Sequence, residues 1–78
     1  MTGHPAHLTP EKWVRQIVSS RDAMRGGVVK RAIRDVERLG GRDFFLAEAE
    51  RRGFQVVQNH RHFVVFCNAE PIRRVRRQ

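Results

Sequence analysis

Residues 54–67 read Phe54-Gln55-Val56-Val57-Gln58-Asn59-His60-Arg61-His62-Phe63-Val64-Val65-Phe66-Cys67, and here the helical periodicity of the preceding chain stops. Two runs rich in β-branched and aromatic residues, Phe54–Gln58 and Phe63–Cys67, flank the polar Asn59-His60-Arg61-His62. That pattern predicts a β-hairpin with a short loop. In the second run Phe63, Val65 and Cys67 point one way and Val64 and Phe66 the other, and both sets are apolar. An ordinary antiparallel strand has one wet face and is apolar only at alternate positions. The run therefore predicts a central strand whose two faces both need cover, from helices on two sides or from a partner molecule. Pro71–Val75 reads as a third, edge strand, with proline where a missing N–H is tolerated and Ile72 and Val75 set among arginines.

Upstream, glycines punctuate three helical stretches. Thr9-Pro10-Glu11 is a helix start: a hydroxyl N-cap, proline at the first helical position and an acid in the first turn. Trp13, Ile17 and Met24 follow at helical spacing, with Val14 and Val18 widening the stripe, until Gly26-Gly27. A second helix is predicted over Val28–Leu39, with Val29, Ala32, Ile33, Val36 and Leu39 on one face and Gly40-Gly41 at its end. Asp43 is placed to cap a third, reaching Arg52, with Phe45, Leu46 and Ala49 inward and Gly53 closing it. The expected architecture is α+β: three N-terminal helices packed on a three-stranded antiparallel β-meander. Residues 1–8 are expected to be a flexible N-terminus, and 9–76 a single domain ending in a basic strand or tail.

Length and composition exclude whole classes. The chain has 78 residues, room for one domain, and a domain of that size buries only about 60–65% of its unfolded surface. Doubly wound cofactor-binding sheets and (β/α) barrels need far more chain. Cys67 is the only cysteine, so there is no disulfide framework. No apolar run approaches a membrane span, and Met1–Leu8 lacks the apolar stretch of a signal peptide, so the expectation is a cytoplasmic, non-membrane protein.

Charge is the strongest functional signal. Sixteen Lys+Arg oppose eight Asp+Glu, a formal +8, and all the cations but Lys12 and Lys30 are arginines. Arginine's planar fork grips phosphates and carboxylates in pairs, which favours recognition over plain solubility. Ile72–Arg77 alone carries four arginines and no acid. On the predicted second helix Lys30, Arg34 and Arg38 recur every four residues with Arg31 alongside, a cationic stripe opposite the apolar one. Such a stripe fits a phosphate backbone or an acidic protein groove. It also fits a solvated face partly neutralised by Asp35 and Glu37. Lys30, Arg31, Arg34, Arg38, Arg61, Arg73, Arg74, Arg76 and Arg77 are the candidate contacts to nucleic acid or to an acidic surface of a nucleoprotein complex.

Catalytic equipment is sparse. His60 and His62 beside a basic surface suit general acid–base cleavage of RNA, in which the 2′-hydroxyl is the nucleophile and no metal is required. Polar residues are equally common in a turn, where a structural or binding role suffices. Neither Cys-x-x-Cys nor His-x-x-x-His occurs, and His62 and Cys67 have opposite strand parity, so no metal site and no cofactor is expected. Gly26-Gly27 and Gly40-Gly41 lack the Lys-Ser/Thr of a phosphate-binding loop. With Trp13 and five phenylalanines mostly at core positions, an aromatic stacking platform has little support. A helix-turn-helix would need polar residues on its recognition helix, whereas the third helix carries Phe44, Phe45, Glu48 and Glu50.

The stretch Ala49–Phe66, AERRGFQVVQNHRHFVVF, resembles the opening of HicA-type toxins, in which a helix ends in Gly-Phe and a hairpin carries a histidine in a Gly-Ser-His motif. Gly53, Phe54 and His62 match, whereas Asn59-His60-Arg61 stands where Gly-Ser belongs and no closing helix follows. The resemblance implies a fold like that of double-stranded-RNA-binding domains and ribonuclease activity through His62. In size and charge the chain also resembles the small phage-encoded inhibitors of nucleic-acid-targeting defence complexes, the anti-CRISPR proteins. Three functions follow as expectations. The first is a non-enzymatic basic module binding nucleic acid or a nucleoprotein complex, an inhibitor of the anti-CRISPR kind among them. The others are a HicA-like ribonuclease using His62 with His60, and a homodimeric adaptor that covers the spare sheet face.

Overall fold

Thr9 caps the first helix as the sequence requires: its hydroxyl oxygen accepts from the Lys12 N–H at 3.1 Å, and Pro10 takes the first helical position. The computed structural model describes residues 9–77, and the expected flexible segment 1–8 lies outside them. In chain order the elements are α1 (Pro10–Val18), α2 (Arg21–Met24), β1 (Val28–Ala32), α3 (Ile33–Asp35), a π-helical turn (Val36–Gly40), α4 (Arg42–Arg51), β2 (Gln55–Asn59) and β3 (His62–Phe66). The protein is α+β, with one three-stranded antiparallel sheet.

The hairpin lies where its residues place it, and β3 is the central strand. Its second neighbour, however, is β1, and the strand order is β1-β3-β2, so the sheet is not a meander. Val28–Ala32, expected as the first turns of a helix, pairs antiparallel with β3, Val29 opposite Val65 and Lys30 opposite Val64. The two periodicities agree on what to bury here, since Val29 and Val36 face the core either way. The choice falls to tertiary pairing: β3 is apolar on both faces, and a β-branched segment at its free edge gains more from the ladder than from an isolated helix. Pro71–Val75 is correspondingly not a strand. Its closely spaced arginines and the missing proline N–H make it the weaker candidate for that edge, and the segment is exposed without regular structure.

Two further boundaries move. The first helix breaks at Ser19-Ser20, because the Ser20 hydroxyl caps a new helix by accepting from the Ala23 N–H at 3.3 Å. Met24, expected in the apolar stripe, is 76% exposed as a result. The helix expected to run to Leu39 is reduced to α3 and the π-helical turn, in which the Gly41 N–H reaches back five residues to the Val36 carbonyl at 2.7 Å. Gly41, at φ 86°, then turns the chain into α4, so glycine rather than Asp43 stands at the N-cap. Gly40 is needed for a different reason: a Cβ there would lie 2.6 Å from Val14 Cγ2 and 2.7 Å from Trp13 Cε3. α1 packs directly on this backbone.

The core lies between the helices and one face of the sheet. Val14, Ile17, Ala23, Val36 and Phe45 meet Val29, Phe63, Val65 and Cys67, and the Phe45 and Phe63 rings stack at 5.7 Å. The only buried charge among the described residues is Glu48, which accepts from Arg51 at 2.9 and 3.2 Å and lies 3.9 Å from Arg52. The Arg51 hydrogen bond and its positive charge hold the Glu48 carboxyl below the ordinary carboxylate range against the opposing effect of burial. No helix among the described residues is long and apolar enough to cross a membrane.

Candidate nucleic-acid interface

β2 and β3 are joined by the two-residue loop His60-Arg61. Two-residue hairpin loops require a left-handed backbone, and His60 supplies it at φ 56° without being glycine. The Arg61 carbonyl accepts from the Ile33 N–H at 2.8 Å, which fastens the hairpin tip to the junction of β1 and α3. A cleft of about 390 Å³ results, lined by Ala32, Ile33, Arg34, Glu37, His60, Arg61 and His62. Its single acid, Glu37, is engaged by Arg42 at 3.7 Å. Arg34 and Arg61 have no carboxylate partner among the described residues. The side chains that line it include two arginines and two histidines beside the apolar Ala32 and Ile33. A non-glycine residue in left-handed backbone at the mouth of such a cleft is the kind of strain that accumulates at functional sites.

The sequence-derived cations divide into groups. Arg34 and Arg61 meet in the cleft. Lys30 is exposed in the middle of β1, on the sheet face away from the helices. Arg31, one residue on, points to the other side and donates to the Lys30 carbonyl at 2.8 Å. Arg38 is paired with Asp35 at 3.3 Å and is the one candidate already occupied among the described residues. The helical stripe through Lys30, Arg34 and Arg38 does not form, because Lys30 and Arg34 lie on different elements. Arg73, Arg74, Arg76 and Arg77 are exposed in the segment that follows β3, which leaves the strand at the end away from the cleft. The start of their segment is tied down: the Gln55 amide donates to the carbonyls of Asn68 at 3.0 Å and Glu70 at 2.7 Å.

α4 makes a poor groove reader. Its exposed residues include Arg42, Asp43, Ala47, Glu50 and Arg51, balanced in charge, and both arginines are committed to Glu37 and Glu48. Cys67 is buried, its thiol pushed up by burial and by the nearby Asp22 carboxylate, so it is not an available nucleophile. No cluster of three or more His, Cys, Asp or Glu able to hold a metal occurs among the described residues.

Sequence reasoning proposed both histidines and Arg61 but missed that Arg34 joins them. The missing signal was the extended state of Val28–Ala32, which swings Arg34 toward the hairpin tip. The chain matches no protein-family model, no curated protein and no solved structure.

Proposed function

We propose that this protein is a non-enzymatic module that binds nucleic acid, free or within a nucleoprotein complex, through the cleft at the hairpin tip and the arginines of its C-terminal segment. One observation carries the reading: Arg34, Arg61, His60 and His62 line one cleft whose only carboxylate is already engaged by Arg42. Unpaired guanidiniums converging on a concavity attract polyanions, and the net +8 adds long-range steering. The measurement is oligonucleotide affinity over a salt series. Log affinity falls linearly with log salt, each phosphate contact adding about 0.7–0.9 to the slope. Replacing Arg34 and Arg61 together by alanine lowers both affinity and slope. An unchanged slope in that variant, or no binding at low salt, contradicts the reading.

A second reading, a HicA-like ribonuclease, is favoured by the presence of both histidines in that cleft. One imidazole would take the proton of the attacking 2′-hydroxyl and the other would protonate the leaving oxygen, with the arginines stabilising charge at phosphorus. The His60→Ala/His62→Ala variant separates the two: binding survives in both, and cleavage of labelled RNA is lost only if this second reading is right. Intact RNA after incubation with the wild type removes it.

A further inference from the structure

Among the described residues, the buried core takes side chains from one face of the sheet only. Three rows cross the other face in register: Val28, Phe66 and Gln55; Lys30, Val64 and Val57; Ala32, His62 and Asn59. None of these residues is acidic. Val57, Val64 and Phe66 are half-buried and Val28 is 52% exposed, and none of the four belongs to the partly buried side chains packed against the core. Trp13, Phe44, Phe45, Phe54 and Phe63 all lie in or against that core, which leaves Phe66 as the aromatic on the open side.

The two groups of cations are joined by this face. His62 belongs to its last row and also lines the cleft with Arg34 and Arg61. Gln55 belongs to its first row and donates to the carbonyls of Asn68 and Glu70, from which the arginine segment departs. Lys30 stands midway. The face is thus a largely apolar strip that runs from the cleft, past Lys30, to the point where the start of the arginine segment is anchored.

We infer that this open sheet face is a platform for single-stranded nucleic acid, which lies along β3 from the cleft to the arginine segment with a base stacked on Phe66. The inference rests on the proposed nucleic-acid function and specifies its ligand. Apolar side chains between cations can meet bases only where those bases are unpaired, because a duplex presents phosphate and groove edges instead. A second copy of the chain is the poorer occupant. Three strands of five residues span roughly 200 Å², well below the ~800 Å² per partner of a stable interface, and Lys30 stands at the centre.

The test uses the full chain with a short fluorescent single strand, its duplex, and a photoreactive single strand for cross-link mapping. The expected result is tighter binding of the single strand, weakened about five-fold or more by Phe66→Leu with the duplex little affected. Cross-links in the wild type fall on Phe66 and its row neighbours, a readout independent of any variant's folding. Equal binding of both forms, indifference to Phe66→Leu and cross-links away from the sheet overturn the platform but leave nucleic-acid binding standing. Self-association that Phe66→Leu abolishes assigns the face to a second copy and overturns it as well. No binding of any oligonucleotide at low salt overturns both.

Discussion

Gly40 and Glu48 show how little slack a core of this size has. At Gly40 an added methyl would collide with Val14 and Trp13, one wholly buried and both on α1, so α1 or the π-helical turn must shift. Gly40→Ala is therefore expected to destabilise the fold by about 1–3 kcal/mol, read as a lower urea midpoint. Glycine-to-alanine within a helical stretch ordinarily stabilises, so the sign itself is diagnostic. Glu48 gives a pH dependence. Its carboxyl is held below its ordinary value of 4.5 by Arg51, so its contribution is fully present above that value. It is lost as pH falls through the lowered native value. Acid unfolding of the wild type should include this loss and that of Glu48→Gln should lack it; parallel acid titrations of the two would show that the ion pair contributes nothing.

Among the elements, those with local signals were legible and those decided by pairing were not. α1 announced itself through Thr9-Pro10-Glu11, and the hairpin through two apolar runs around a polar tetrad. The doubly apolar Phe63–Cys67 run also forecast an unmet need for cover, and the helices meet it on one side only. β1 was illegible because Val29 and Val36 turn inward on either a helical or an extended path, and only the free edge of β3 decides between them. That one choice displaced the third strand from Pro71–Val75 and carried Arg34 into the cleft, so half of the candidate site was hidden with it. The C-terminal segment provides the check. Truncation after Glu70 should leave the melting temperature almost unchanged, since Pro71–Arg77 is exposed and outside the sheet. It should reduce the salt slope of binding by about 0.7–0.9 for each arginine that touches phosphate. A large loss of stability would instead mean that the segment is part of the fold.

For the whole molecule, the buried core of the described residues lies on one side of one small sheet. The helices, the stacked Phe45–Phe63 pair and the Glu48 ion pairs occupy one side. The other side carries Lys30 and His62 among exposed Val28 and half-buried Val57, Val64 and Phe66. Several carboxylates are engaged by arginines: Asp35 by Arg38, Glu37 by Arg42, and Glu48 by Arg51 and Arg52. The distribution leaves a free energy of binding dominated by phosphate contacts and therefore by salt. The most direct test is an amide-resolved NMR titration of the full chain with a short single-stranded oligonucleotide at low salt. The predicted shifts cluster at Lys30–Arg34, at His60–Phe66 and along Arg73–Arg77, sparing α2. Shifts confined to α2 and the outward side of α4, or none at all, would contradict the assignment of this surface to nucleic acid.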